Sequence, residues 1–416
     1  MKPSVAWSCA CVVVSVVGAV VVGCSSDPSP NTGTGPGGGG AGAGTGAGAG
    51  GTPGSAGTAP SAGAGGASAG STSAGAGGTP GSAGSAGSAG ASGGSAGAGG
   101  GSAGTGGGSA GTGGGFKCPA GPFTAFTAPA AKATKVAGAP PNDAFNMNNF
   151  TNVEGPVWIG DSLYFSEMTG SNTIPPARIL KIAPGGVVSV AVMDSGSNGL
   201  AVDGAGNLIA AVHKDGSISQ IALPGGTATP LVSKFNNTRF TSPNDLAIRS
   251  DGTIYFSDPQ YQNNANPQKG EHLYRVTPPP TRTPSIVADA PSTPNGVTLS
   301  PDEKTLYVSG SGLKKFAVMT DGSLGAASDF VVGSGGDGMA VDCAGNLYVA
   351  GNMGNAVRVY SSAGMALGTI QADGSGTTTN VAFGGTDHKT LYITAQGNDG
   401  QRGVWSIPLM IPGFPY

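Results

Sequence analysis

The sequence predicts an all-β protein, a six-bladed β-propeller preceded by a disordered tether rich in Gly, Ala and Ser. Two observations predict it. Residues 28–115 are almost wholly Gly, Ala, Ser, Thr and Pro, and such a composition buries too little apolar surface to fold. Residues 116–416 instead carry short alternating strands separated by Gly, Asp and Asn turns, and one phrase recurs there six times.

The first residues have the pattern of an export signal. A single Lys precedes a short apolar run, which is typical of a secretory signal rather than of a membrane span. The run ends in Val-Val-Gly-Cys, which resembles a bacterial lipobox, and the resemblance implies removal of residues 1–23 and lipidation of Cys24. Ser25, where inner-membrane lipoproteins carry Asp, favours the outer membrane. We therefore expect an exported, lipid-anchored protein, with an ordinary signal peptide and a chance Cys as the alternative.

Three segments follow from this: a lipoprotein signal peptide over residues 1–23, a flexible tether over 24–115 and the propeller over 116–416. The net charge is −3 and only 10% of the residues are charged, so no basic surface for nucleic acid is expected. We expect a monomer that reaches the membrane only through its lipid. Cys118 and Cys343 lie in the propeller segment. Export permits a disulfide between them, and two free thiols are the equal alternative.

The repeated phrase gives the number of blades. It contains a turn followed by a strand, as in IRSDGTIYFS and VDCAGNLYVAG. The residues that open these strands are Leu163, Leu208, Ile254, Leu306, Leu347 and Leu391. They stand about 41 to 52 residues apart, which is the length of a four-stranded blade. Six repeats predict six blades, and we expect the early strand ATKVAG to pair with GVWSIPL near the C-terminus and close the ring.

A second regularity precedes each repeat. About ten residues before each strand opening stands a carboxylate or an amide: Glu154, Asn198, Asn244, Asn295, Asp337 and Asn380. We call these six the ring residues, because repeat symmetry sends equivalent positions to a ring about the propeller axis. Carboxylate and amide oxygens are the ligands that Ca²⁺ prefers. The alternative is that Asn and Asp simply open turns, but it does not account for Glu154.

Five segments in order resemble the SMP-30/gluconolactonase/LRE-like family of six-bladed propellers. They are EGPVW, SPNDLAI with DGTIYFSDP, PNGVTLSPDEKTLYVS, DGMAVDCAGNLYVA and TNVAFGGTDHKTLYIT, and the resemblance covers about residues 150–408. It implies one catalytic divalent metal, most often Ca²⁺, with Zn²⁺, Mn²⁺ and Mg²⁺ as alternatives. The implied ligands are Glu154, Asn295 and Asp337, together with Asn244, which in other members contacts substrate or water. An Arg that some members carry two residues before this Asn is not matched, since Arg239 lies five residues before it.

These residues predict a metal-dependent hydrolase of sugar-type lactones. Asp337 is the candidate acceptor of a proton from the attacking water. Asn244 and Asn198 are expected to orient the substrate, and His213 and His272 are further candidates for contact with it, with a structural role as the alternative. Two other functions stay open. One is a phosphotriesterase-like or promiscuous esterase on the same site, and the other is a non-catalytic propeller that binds a ligand through its rim loops.

Overall fold

The computed structural model describes residues 116–147, 150–169, 176–262, 268–351 and 354–414. The predicted signal peptide and the predicted tether lie outside the described residues, so those two predictions stay predictions. Within the described part, six antiparallel four-stranded sheets follow one another along the chain. The predicted all-β, six-bladed propeller is therefore confirmed.

In every blade the strand named first lies nearest the propeller axis and the strand named last lies outermost. Blade 1 contains β2 (Thr151–Ile159), β3 (Ser162–Thr169), β4 (Ala177–Ile182) and β5 (Val188–Val192). Blade 2 contains β6 (Ser197–Val202), β7 (Leu208–Val212), β8 (Ser217–Ile221) and β9 (Ala228–Val232). Blade 3 contains β12 (Leu246–Ile248), β13 (Ile254–Asp258), β14 (His272–Val276) and β15 (Pro284–Val287). Blade 4 contains β16 (Val297–Leu299), β17 (Thr305–Val308), β18 (Leu313–Val318) and β19 (Leu324–Val331). Blade 5 contains β20 (Met339–Val341), β21 (Leu347–Val349), β22 (Ala356–Tyr360) and β23 (Ala366–Gln371). Blade 6 contains β24 (Thr377–Gly384), β25 (Thr390–Gln396), β26 (Gly403–Pro408) and β1 (Thr134–Lys135).

Blade 6 closes the ring with strands from both ends of the domain. Thr134 lies opposite Ser406 and Lys135 opposite Trp405, so β1 is the outermost strand beside β26. The predicted pairing of ATKVAG with GVWSIPL is confirmed. Because each end of the domain supplies part of one sheet, the ring is held shut by backbone hydrogen bonds.

Apolar side chains pack mainly between neighbouring blades rather than on the axis. One cluster joins blades 2 and 3 and includes the rings of Phe240, Phe256 and Tyr274. Their centroids lie 4.9 to 5.1 Å apart, a distance at which aromatic pairs attract. Since these contacts stabilise the blades from between the sheets, the first residues of the innermost strands remain available for polar chemistry.

The two ends of the described chain meet at the end of the propeller away from the ring residues. Cys118 and Cys343 form a disulfide with a Cα–Cα distance of 5.3 Å, which decides the open choice between a disulfide and two thiols. Cys343 follows β20 in the turn to β21, whereas Asp337 precedes β20. The N–H of Cys343 donates to the carbonyl of Pro412. The rings of Phe116 and His388 are in contact, with their centroids 4.1 Å apart.

Three smaller features complete the described fold. A short hairpin, β10 (Lys234–Phe235) and β11 (Thr238–Arg239), lies between blades 2 and 3 along the chain, and a 3₁₀ turn spans Pro184–Gly186. No helix within the described residues is long and apolar enough to cross a membrane.

Candidate active site

All six ring residues stand where the innermost strands begin. Glu154, Asn198 and Asn380 lie within the first four residues of β2, β6 and β24, and the other three stand two residues before the first residues of β12, β16 and β20. In β2, β6 and β24 the register with the neighbouring strand shifts beside the ring residue. The shifts lie between Glu154 and Val157, between Ser197 and Leu200, and between Thr378 and Asn380. Such bulges redirect side chains at the end of a strand.

Glycines that follow four of the ring residues allow close approach between blades. A Cβ atom at Gly155, Gly199, Gly296 or Gly338 would come closer than 3.0 Å to the ring residue of the next blade. At Gly338 the conflict would be with the side chain of Asn380, and at the other three with a backbone carbonyl. The EG, NG and DG pairs of the sequence therefore draw successive ring residues into contact around the axis.

The carboxylates of Glu154 and Asp337 are the two acidic members of the ring. Burial, and then the negative charges of Asp337 and Asp245, raise the pKa of Glu154 well above its usual range. Burial, and then the charge of Asp245, raise the pKa of Asp337 to about 8. No ion pair joins either carboxylate to a basic side chain in the described part of the chain. The two carboxyl groups are therefore held where burial and mutual repulsion oppose the ionisation of both.

Asp245 contributes a third buried carboxylate beside the ring. Its Oδ1 accepts from the N–H of Leu246 at 2.9 Å and its Oδ2 from the N–H of Val297 at 3.2 Å. The second bond joins blade 3 to blade 4. Burial raises the pKa of Asp245 to about 7, and hydrogen bonds, including one from Asn380, oppose the rise.

The asparagines among the ring residues differ in whether their side-chain oxygens accept a hydrogen bond. Oδ1 of Asn380 accepts from the N–H of Val381 at 2.8 Å, and its side chain hydrogen-bonds to the carboxyls of Glu154 and Asp245. By contrast, Oδ1 of Asn198 and Oδ1 of Asn295 are buried without a hydrogen-bond partner among the described residues. A buried polar oxygen without a partner is costly, so these two atoms point to a ligand.

The donor set fits a divalent cation of the Ca²⁺ type. Two carboxylates that repel each other and two amide oxygens without partners are hard oxygen ligands that a cation would satisfy together. Among the described residues no three His, Cys, Asp or Glu side chains form a metal cluster, so a cation here would depend on amide oxygens as well. Asn198 enters this set from the structure. Asn244 is buried, and both of its backbone groups are hydrogen-bonded. Its N–H donates to the carbonyl of Ser257 at 2.9 Å, and its carbonyl accepts from the N–H of Gly199 at 2.6 Å.

Comparison with known proteins identifies the relatives of this propeller. The family model described as SMP-30/Gluconolactonase/LRE-like region matches residues 153–397. The chain belongs to this family. A gluconolactonase from Zymomonas mobilis is 29% identical over 283 residues, which cover 59% of this chain and 76% of that protein. A solved gluconolactonase from Xanthomonas campestris matches with a TM-score of 0.54 and 29% identity over 71% of this chain and 99% of its own. A solved putative gluconolactonase matches with a TM-score of 0.57 and 25% identity, over 70% of this chain and 96% of its own.

In this member of the SMP-30/gluconolactonase/LRE-like family, the other two predicted contacts, His213 and His272, stand at the second and third strands of their blades rather than at the innermost strands. His213 follows β7 and is fully buried, so no part of it is open to a substrate in this conformation. Its carbonyl accepts from the guanidinium of Arg239 at 3.2 Å. His272 begins β14, the third strand of its blade, and its Nε2 lies 2.7 Å from the carbonyl of Lys269.

Two residues that sequence reasoning missed, Tyr261 and Asp258, belong to the site. The hydroxyl of Tyr261 lies 3.3 Å from Nδ2 of Asn295, and burial followed by the charge of Asp337 raises the pKa of Tyr261 to about 12. The carboxylate of Asp258 accepts from the N–H groups of Thr241 and Ser242 at 2.9 and 2.6 Å, which fixes the segment leading to Asn244. Asp258 is the last residue of β13, the hairpin partner of the strand that follows Asn244, and Tyr261 stands three residues later. The segment SDPQY, which holds both residues, was the available signal.

Hydroxyl groups at the ends of second strands also support the ring. Ser257 on β13 donates to the carbonyl of Asn295, and Ser309, which follows β17, donates to the carbonyl of Asp337. Each hydroxyl therefore holds the ring residue of the next blade. The repeated endings YFS and YVS in the sequence carried this information.

Proposed function

We propose that this protein is a metal-dependent hydrolase that opens sugar-type lactones. One observation carries the proposal: the axial ring combines two mutually repelling carboxylates, Glu154 and Asp337, with two buried amide oxygens that have no hydrogen-bond partner in the described part of the chain. A non-catalytic propeller has no need for such a set. The gluconolactonase names of the relatives give the substrate class.

The residues that would hold the cation are Glu154, Asn295 and Asp337, with Asn244 and Asn198 as further oxygen donors. When bound, a divalent cation would polarise the lactone carbonyl and lower the pKa of a water molecule. Asp337 takes one proton from the attacking water while the oxygen of that water bonds to the carbonyl carbon of the lactone. The bond between the carbonyl carbon and the ring oxygen of the lactone then breaks. The proton held by Asp337 goes to that oxygen, so that the product is a hydroxy acid. The amides of Asn244 and Asn198 orient the substrate.

A panel of substrates and metals tests the proposal. The full-length protein would be stripped with EDTA, resupplied with Ca²⁺, Zn²⁺, Mn²⁺ or Mg²⁺, and given D-glucono-1,5-lactone, δ-valerolactone, 4-nitrophenyl acetate and a phosphotriester. Proton release then reports hydrolysis. We expect metal-dependent turnover of the lactones. Turnover of the phosphotriester or the aryl ester alone, or no lactone hydrolysis with any metal, would overturn the proposal.

Asp337→Asn separates chemistry from metal binding. The amide keeps an oxygen ligand but cannot accept a proton, so we expect turnover to fall by about 10²- to 10⁴-fold, with a smaller loss of metal affinity by calorimetry. Asp329→Asn, at an exposed position on β19, is the matched control and should leave turnover unchanged. Wild-type turnover in Asp337→Asn would mean that the ring is not the catalytic centre.

A further inference from the structure

Tyr261 places a hydroxyl group at the axial site from outside the ring. It follows β13 in blade 3, yet its hydroxyl lies 3.3 Å from Nδ2 of Asn295, which precedes the innermost strand of blade 4. The residue as a whole is 46% exposed, whereas burial is the main cause of the raised pKa of its hydroxyl, so Tyr261 extends from the surface to the ring residues.

The hydrogen bonds of Asn295 determine what this hydroxyl can do. Its amide hydrogen-bonds to the carboxyl of Asp337. Since Oδ1 of Asn295 has no hydrogen-bond partner among the described residues, this bond comes from the amide nitrogen Nδ2, which is a donor. With Nδ2 as the donor, the oxygen of Tyr261 is also an acceptor from Asn295. The phenolic hydrogen therefore points away from Asn295 and can be donated elsewhere.

The backbone of Tyr261 is held by the same network that holds the Asn244 segment. Its N–H donates to the hydroxyl of Ser242 at 3.3 Å, and that hydroxyl donates to the carbonyl of Pro259. The N–H of Ser242 is in turn bound by Asp258 at 2.6 Å. A fixed backbone, together with the bond between the hydroxyl and Asn295, preorganises Tyr261 for contact, which reduces the entropy lost when a substrate binds.

We propose that Tyr261 contacts the substrate and donates a hydrogen bond to an oxygen of the ester group of a lactone held at the axial site. This inference rests on the proposed function and adds a specific contact to it. The ester group is the expected partner because the hydroxyl lies beside Asn295, at the reacting centre, rather than towards the rim, where the hydroxyl groups of a sugar would extend. The contact is a hydrogen bond without proton transfer.

Tyr261→Phe tests this contact, with Tyr392→Phe as the matched control. Tyr392 stacks on Trp158 between blades 6 and 1, so its hydroxyl is remote from Asn295. We expect kcat/KM of Tyr261→Phe to fall about tenfold for both D-glucono-1,5-lactone and δ-valerolactone. The calorimetric affinity for Ca²⁺ should stay unchanged, and Tyr392→Phe should match the wild type.

Three results would overturn the inference. They are an unchanged kcat/KM, a loss confined to the hydroxylated lactone, and a loss of Ca²⁺ affinity by the same factor as kcat/KM. Failure of the proposed function would look different, since the wild-type protein would then hydrolyse neither lactone. In that event, calorimetric binding of δ-valerolactone to the Ca²⁺-loaded protein still tests the contact. Weaker binding by Tyr261→Phe than by Tyr392→Phe supports it, and equal binding overturns it.

Discussion

At the scale of single residues, the site is built from acids whose environment opposes their charge. Glu154, Asp245 and Asp337 are brought together near the axis, and burial is the largest cause of the raised pKa of each. Asp258, which holds the segment before Asn244, is also buried, and burial raises its pKa to about 7. A cation would remove the conflict for Glu154 and Asp337 and would leave Asp258 as it is.

The raised pKa values predict how the stability of the metal-free protein depends on pH. The ordinary pKa of an Asp is 3.8, and that of Asp337 in the folded protein is about 8. Between these values the folded protein keeps a proton that the unfolded chain has released, so stability falls as pH rises through this window. In EDTA we expect the free energy of unfolding to be about 2–5 kcal/mol lower at pH 8 than at pH 4.5.

Thermal melting in EDTA and in Ca²⁺ measures this effect. At pH 8 added Ca²⁺ should raise the melting temperature, and Glu154→Gln should reduce that rise because one anionic ligand is lost. A melting temperature that is equal at pH 4.5 and pH 8 without metal would contradict the assignment of buried, uncompensated carboxyls.

At the scale of elements, the starts of the innermost strands are the structural unit that matters. Glycine after the ring residue, a hydroxyl at the end of the second strand and a bulge beside the ring residue recur around the axis. They join each blade to the next at the level of the ring. The position of one ring residue therefore depends on the blade that precedes it.

Gly338→Ala tests this coupling between blades. The added methyl group would conflict with the side chain of Asn380, which hydrogen-bonds to Glu154 and Asp245. We expect a loss of about 1–3 kcal/mol in the free energy of unfolding from overpacking, together with weaker Ca²⁺ binding. Denaturant unfolding and calorimetry measure the two effects.

Gly204→Ala is the control, since no heavy atom of the described residues lies within 4 Å of a Cβ atom at that position. It should leave both quantities unchanged. Equal stability of the Gly338 and Gly204 variants would show that the strands can separate without consequence.

At the scale of the whole molecule, the propeller has the ring residues at one end and the disulfide at the other. The Cys118–Cys343 disulfide and the segment around Pro412 lie beyond the far ends of the innermost strands. The closing strand β1 lies on the outer edge of blade 6. Stability and activity can therefore be altered separately.

Replacing both Cys118 and Cys343 with Ser should separate the two. Loss of a disulfide that closes a long loop lowers the free energy of unfolding by about 2–4 kcal/mol. Lactone turnover at 25 °C should stay unchanged, because the ring residues lie at the other end of β20. Denaturant unfolding and steady-state turnover measure the two quantities. A parallel loss of turnover would show that the disulfide also influences the geometry of the active site.

The sequence by itself determined the repeat count, the ring positions and the closure of the propeller. These are local properties: Leu163 to Leu391 mark a period, and Glu154 and Asp337 are acids at a fixed distance before that period. Only the tertiary structure decided how the ring oxygens are used. Oδ1 of Asn380 is occupied by a backbone N–H, whereas Oδ1 of Asn198 has no partner among the described residues. Asn380 bonds the N–H of Val381 in its own strand and also the carboxyls of Glu154 and Asp245, which other blades supply and which only the closed propeller brings within reach.

The tertiary structure also decided the pairing of Cys118 with Cys343 and the approach of Tyr261 to Asn295. Residues 225 positions apart form the disulfide, and Tyr261 and Asn295 come from consecutive blades. No local pattern specifies such distances. They are set by how six sheets close around one axis, which is a property of the folded ring as a whole.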